Sequence, residues 1–194
     1  MNSSQNKNKD IIYLIYKEKG NVFRFADIAM IVSGQDSASL SRKLNYYIKT
    51  GRLLNPRKGI YAKPDYTPEE LACTVYVPSY ISLQYVLQRA GVIFQYDTRI
   101  TLVSYLSRII EVGDKTFLYR KIKGTALVNT TGIERKGLHL NIATPERAFL
   151  DMLYLEKEFY FDNPGILRKE MVYKILPVYQ SKALTKRVKN ILPV

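Results

Sequence analysis

The sequence predicts an α+β fold, and three observations carry that class. Residues 25–49 hold two stretches with apolar residues at helical spacing, separated by the turn Ser33-Gly34-Gln35-Asp36. A strand–turn–strand pattern follows over residues 52–63. Beyond Tyr66, short strand-like stretches mix with well-capped helices. The pattern changes at Lys63-Pro64-Asp65-Tyr66, where proline breaks the strand. The expected domains are therefore residues 1–66 and 67–194.

The first domain opens with a helix over residues 10–19, with Ile11, Ile12, Leu14 and Ile15 on its buried side and Gly20 as its stop. Residues 25–32 form a short second helix with Ile28, Ala29 and Val32 turned inward. Asp36 or Ser37 caps the third helix. In it, Leu40, Leu44, Tyr47 and Ile48 recur at i, i+4, i+7 and i+8, one face of a 3.6-residue period. At about 100° per residue, Ser39, Arg42, Tyr46 and Lys49 fall on the opposite face. Gly51 ends this helix at the left-handed C′ position. Residues 52–54 and 59–63 then read as two strands around the basic turn Asn55-Pro56-Arg57-Lys58. Helix, glycine-containing turn, helix and basic hairpin is the order of a winged helix-turn-helix. Its third helix suits phosphates and base edges in a major groove.

The second domain starts at Thr67-Pro68-Glu69-Glu70, where an N-cap, an N1 proline and an N3 glutamate coincide. A further helix begins at Ser82, runs through Leu83, Val86 and Leu87, and stops at Gly91. Strands are expected at 100–103, 108–112 and 116–122, the last two joined by a tight turn at Gly113-Asp114. Residues 138–142 alternate, which turns Leu138, Leu140 and Ile142 inward and His139 and Asn141 outward. Thr144-Pro145-Glu146 opens another capped helix through Leu150 and Leu153. Two amphipathic helices, 166–176 and 181–191, complete a basic tail.

Charge narrows the partner. The net +13 is uneven: residues 1–66 hold 12 Lys and Arg against 5 Asp and Glu, a balance of +7. Residues 67–164 hold 11 of each, and residues 165–194 hold 7 against 1, a balance of +6. Cations clustered at two ends favour a polyanion-binding surface over general solubility charge. The polar start, MNSSQNKNKD, has no apolar core of a signal peptide, and no apolar run approaches the ~18 residues that span a bilayer. A cytoplasmic protein without membrane contact is expected. The single cysteine, Cys73, leaves no intrachain disulfide or multi-thiolate zinc site and reads as a small core residue.

No catalytic constellation stands out. Asp114 with Glu134-Arg135-Lys136 loosely imitates the carboxylates and lysine of metal-dependent nucleases, but both lie in expected turns. The sole histidine, His139, has no nucleophile or carboxylate at motif spacing. Gly132 and Gly137 lack the context of a phosphate-binding loop. The expectation is a non-enzyme with no cofactor and no metal.

Three blocks in order, TGRLLNPRKGIYAKP, VPSYISLQYVLQRAGVI and LNIATPERAFLDML, resemble the AbiEi antitoxin family over residues 10–155. The resemblance implies a winged helix-turn-helix fused to a mixed α/β antitoxin domain with a basic helical tail. It further implies a transcriptional autorepressor of a type IV toxin–antitoxin, abortive-infection system. The implied partners are duplex DNA, the chain's own operator, and a nucleotidyltransferase-like toxin that need not be contacted directly. Carried onto this sequence, base reading falls to Ser39, Arg42, Lys43 and Tyr46, and backbone contact to Arg57 and Lys58, with Lys49 also on the exposed face. Tyr80-Ile81-Ser82 and Thr144-Pro145-Glu146-Arg147 mark the second domain through helix capping and packing. Lys182, Lys186, Arg187 and Lys189 form either the wet face of a terminal helix or a second basic surface. The alternative from another class is a non-enzymatic RNA- or protein-interaction module that uses the winged domain as a docking platform.

Overall fold

The computed structural model of the protein describes residues 11–193. Asp10, expected to start the first helix, and the polar residues before it lie outside the described residues, as does Val194. The chain is α+β and divides into two compact units between Val75 and Tyr76. No helix among the described residues is long and apolar enough to cross a membrane.

The first unit runs α1 (Ile11–Lys17), β1 (Val22–Arg24), α2 (Phe25–Val32), α3 (Ser37–Lys49), β2 (Leu54–Arg57), β3 (Ile60–Ala62) and α4 (Pro68–Val75). Its three strands form an antiparallel sheet in the order β1-β3-β2. Ile11, Ile15, Phe23, Ile28, Leu40, Leu44 and Leu53 close the core, each at most 1% exposed. Helix α2 keeps its expected bounds, but Ala29 faces solvent; the inward place goes to Asp27. Asp27 accepts the Arg24 backbone N–H at 2.8 Å and the Arg24 guanidinium at 3.0 Å, which satisfies the start of the helix. Strand β1 escapes a reading by periodicity because three residues are too few to show a period.

Two further boundaries differ from expectation. The hairpin shifts toward the C-terminus, since Arg52 and Leu53 donate their backbone N–H groups to the Tyr47 carbonyl at 2.9 and 3.1 Å. They finish α3, and Leu53 drops into the core. Leu54 faces Ala62 while Arg57 faces Ile60, so β2 carries a bulge that holds Pro56 on the sheet edge, where its missing N–H costs no ladder bond. The second difference is α4, which belongs to the first unit and does not open the second. Glu70 accepts the backbone N–H of Asn21 at 3.2 Å and its side-chain amide at 3.3 Å. The N-terminus of α4 has the expected reciprocal cap: Thr67 N–H to Glu70 and Glu70 N–H to Thr67 Oγ1, at 3.2 and 3.3 Å.

The second unit contains β4 (Ser79–Ile81), α5 (Gln84–Arg89), β5 (Ile100–Ser104), β6 (Arg108–Val112), β7 (Lys115–Lys121), α6 (Gly124–Val128), β8 (Ile133–Arg135), β9 (Asn141–Ala143), α7 (Pro145–Leu155), α8 (Lys169–Ile175) and α9 (Lys182–Ile191). One mixed sheet runs β6-β7-β5-β4-β9-β8, with β5/β7 and β4/β9 parallel. The β6–β7 hairpin turns at Gly113-Asp114 as expected, with Val112 paired to Lys115 and Gly113 at a φ of 60°. Tyr80 and Ile81, expected to support a helix start, are strand β4 instead. Helix α5 begins at Gln84, after Ser82, because Leu83 takes a φ of 60°. The alternation expected over 138–142 fails: only Asn141–Ala143 pair, and Leu138 is 36% exposed. The expected tail helix over 166–176 is shorter, because two 3-10 turns, Pro164–Ile166 and the proline-containing Leu176–Tyr179, bound α8.

Helix α7 is the spine of this unit. Thr144 caps it by accepting the Arg147 N–H, and every residue from Glu146 to Leu153 is buried. Arg147 and Asp151 are both wholly buried, with Nε 3.4 Å from Oδ1, an ion pair without hydrogen-bond alignment. The Arg147 guanidinium donates to the carbonyls of Thr131 at 3.0 Å and Ala126 at 2.6 Å and to the Tyr80 hydroxyl at 3.0 Å. Asp151 accepts hydroxyls from Tyr80, Ser82 and Tyr179 at 3.1, 2.8 and 2.6 Å. Burial pushes both tyrosines well above their ordinary pKa, with the Asp151 charge adding to the shift, so both remain donors. Tyr80, Ser82 and Arg147 thus tie β4, α6, α7 and the 3-10 turn before α9 into one body.

The neighbouring Glu146 is 3% exposed and accepts Arg168 Nε at 2.8 Å. Burial opposes its ionisation, but the Arg168 and backbone hydrogen bonds prevail and hold the carboxyl below its ordinary value of 4.5. A carboxyl depressed in the fold stabilises it above the unfolded pKa and loses that contribution as pH falls through the folded value. Acid unfolding followed by circular dichroism is therefore expected to show a loss of stability below about pH 4.5 that is smaller in Arg168→Gln. Identical pH profiles would exclude the pair as the cause.

Candidate nucleic-acid interface

Helix α3 is built to hold one face steady. Asp36 accepts the Ser39 N–H at 2.8 Å, and Thr50 and Gly51 close the far end, Gly51 at a φ of 71°. Leu40, Leu44 and Tyr47 are buried, which leaves Arg42, Tyr46 and Lys49 exposed, as the helical wheel predicts. Tyr46 is 56% exposed and stands edge-on to Tyr47, with ring centres 5.8 Å apart. Ser39 and Lys43 differ: both are half-buried, Lys43 because it lies about 40° from Tyr47 on the wheel, and Ser39 although the wheel places it beside the exposed Tyr46. The exposed sector instead includes Ala38 and Asn45, neither of which was expected in the interface.

The hairpin presents the second group. Lys58 is exposed at the tip beside Gly59, whose φ of 79° forms the turn, and Arg57 is half-buried at the end of β2. Asn55 fixes this tip by donating its side-chain amide to the carbonyls of Arg57 at 2.9 Å and Ile60 at 2.6 Å. Lys63, the other cation of the hairpin, is turned inward. It is 6% exposed and donates Nζ to the Glu18 carbonyl at 2.7 Å, beside the end of α1. Burial lowers its pKa, against the pull of Asp65, Glu70 and Glu18.

The basic tail is less uniform than its composition. Lys182, Lys186 and Lys189 are exposed on α9. Arg187 is not part of that face; its guanidinium donates to the Leu153 carbonyl near the end of α7. Leu184 and Val188 are wholly buried, so α9 is a structural helix with a lysine stripe.

The nuclease-like carboxylates do not converge. Asp114 sits in the β6–β7 turn and bonds Lys115, while Glu134 lies in β8, 2.6 Å from Lys136. Strands β6 and β8 are the two opposite edges of a six-stranded sheet, about 24 Å apart at the usual strand spacing. Among the described residues, no group of three or more His, Cys, Asp or Glu residues is placed to hold a metal. A cavity of about 250 Å³ beside Tyr80, Asn129, Ile133 and Asn141 is lined without carboxylate, histidine or cysteine. Cys73 is buried in α4.

No protein-family model matches the chain, and no curated protein matches it.

Proposed function

We propose that the chain binds duplex DNA through α3 and the β2–β3 hairpin, as a winged helix-turn-helix. One observation carries this reading: a short helix, α2, precedes a capped helix whose outer face offers Arg42, Tyr46 and Lys49, and a hairpin with Lys58 at its tip follows within one unit. Arg42 has the reach and fork geometry for a guanine, whereas Lys49, Arg57 and Lys58 hold phosphates. The resemblance to AbiEi antitoxins supplies the biological setting: an autorepressor acting on its own operator and countering a nucleotidyltransferase-like toxin. The second unit would serve as the antitoxin domain, with no enzymatic step of its own.

The test is fluorescence anisotropy on the chain's own upstream duplex and on a scrambled duplex, over a salt series. Preferential binding to the upstream duplex with a steep salt dependence is expected. Arg42→Ala is expected to lower discrimination at one base pair by about 1–3 kcal/mol and to leave binding to the scrambled duplex nearly unchanged. Equal loss on both duplexes would remove Arg42 from the base-reading set. Absence of duplex binding by the wild type would overturn the DNA reading itself. Co-expression with the adjacent reading frame tests the antitoxin assignment: relief of toxicity supports it, and unrelieved toxicity defeats it.

A further inference from the structure

The outer face of α3 contains a residue to which the antitoxin resemblance assigns no role. At about 100° per residue, Ala38, Arg42, Asn45 and Lys49 fall within a sector of about 60°, and all four are exposed. Leu40, Leu44 and Tyr47 occupy the opposite side and are buried. Asn45 is therefore closer to the middle of the exposed face than Ser39 or Lys43, which are half-buried. It sits in the interior of a 13-residue helix, where asparagine is a poor helix former because its amide competes for backbone groups. Among the described residues its side chain makes no hydrogen bond, so nothing in this unit offsets that preference.

An exposed, unpartnered carboxamide beside an exposed guanidinium has a specific complement in duplex DNA. Asparagine bonds adenine N6 and N7 bidentately in the major groove, as arginine does guanine O6 and N7. Three helical residues advance about 4.5 Å along the axis, close to one base-pair step of about 3.4 Å. Lys49 lies about 6 Å further along and has no base-specific fork, which suits a phosphate.

We infer that Asn45 is a specificity-determining residue that reads an adenine next to a guanine read by Arg42, so the chain's target sequence contains G·C and A·T pairs at neighbouring positions. The inference rests on the DNA-binding reading above and adds the sequence that this reading would select. Ala38, with only a methyl group at the N-terminal end of the same sector, leaves room for close approach to the groove floor.

Selection from a randomised duplex pool with the full chain tests it, using wild type, Asn45→Ala, Asn45→Gln and Arg42→Ala. Wild type is expected to enrich adjacent G·C and A·T pairs. Asn45→Ala should lose the adenine preference by roughly 5- to 150-fold while keeping the guanine preference, and Arg42→Ala should do the reverse. Asn45→Gln should retain part of the adenine preference, since glutamine makes the same bidentate pair. Alanine is the better helix former at this site, so the melting temperature of Asn45→Ala should equal or exceed the wild type's, which separates lost recognition from lost folding. An unchanged adenine preference in Asn45→Ala, or a uniform affinity loss on all sequences, would overturn the role of Asn45 while the DNA reading stands. Duplex binding by wild type without any sequence enrichment would overturn this inference together with base reading by Arg42, while duplex binding itself stands. No duplex binding at all would overturn both.

Discussion

Asp151→Ala is expected to destabilise the second unit by about 3–5 kcal/mol, the range for removing one partner of a buried pair. The Arg147 guanidinium would be left charged and 0% exposed, without the carboxylate that pairs with it. The hydroxyls of Tyr80, Ser82 and Tyr179 would also lose their shared acceptor. Thermal denaturation should register a fall on the order of 10–20 °C. Asp151→Asn is the companion variant: the amide keeps an acceptor and the volume but removes the counter-charge, so its loss should be smaller than that of alanine. A cost below about 1 kcal/mol for Asp151→Ala would show that the cluster is solvated or rearranges on mutation.

The second large effect concerns the hairpin. Arg57→Ala/Lys58→Ala is expected to reduce the slope of log K against log salt by about two, near 0.9 for each phosphate no longer neutralised. Affinity should fall on specific and scrambled duplexes alike, because phosphate contacts carry no sequence information. Arg42→Ala provides the contrast: the hairpin variant changes salt dependence without ranking, and Arg42→Ala changes ranking with little change in slope. An unchanged slope would take the hairpin tip out of the interface. Asn55, which bridges both strands at this tip, should be kept intact so that the hairpin retains its shape.

Where the sequence carried a helical period and a cap over residues 36–49, the structure followed it. Helix α3 keeps Leu40, Leu44 and Tyr47 inward and Asp36 as its cap. The β6–β7 hairpin and the Thr144 cap of α7 were equally legible, because the local residue types alone specify those turns. The three-residue strands β1, β4 and β8 were not legible. They have no room for a period, and they exist because of the partner strands beside them. Of the proposed interface residues, Arg42, Tyr46 and Lys49 were visible from the helical wheel. Asn45 carried a signal too, an asparagine in mid-helix, but only its exposure separates it from an ordinary polar position.

Charge shows the same division most sharply. Composition and order determined that this chain is α+β, that its cations gather at its two ends, and that α3 has an apolar face and a polar one. Only the tertiary structure decided which cations are available. Lys63 is committed to the Glu18 carbonyl beside α1, Arg147 to Asp151 and three backbone carbonyls, Arg168 to Glu146 and Arg187 to the Leu153 carbonyl. A formal charge is a property of the residue, but its availability depends on which carbonyls and carboxylates the fold brings within about 3 Å. Apart from the Arg147–Asp151 pair within one helix, these partners lie 16 to 45 residues away in the chain, beyond the reach of any local pattern.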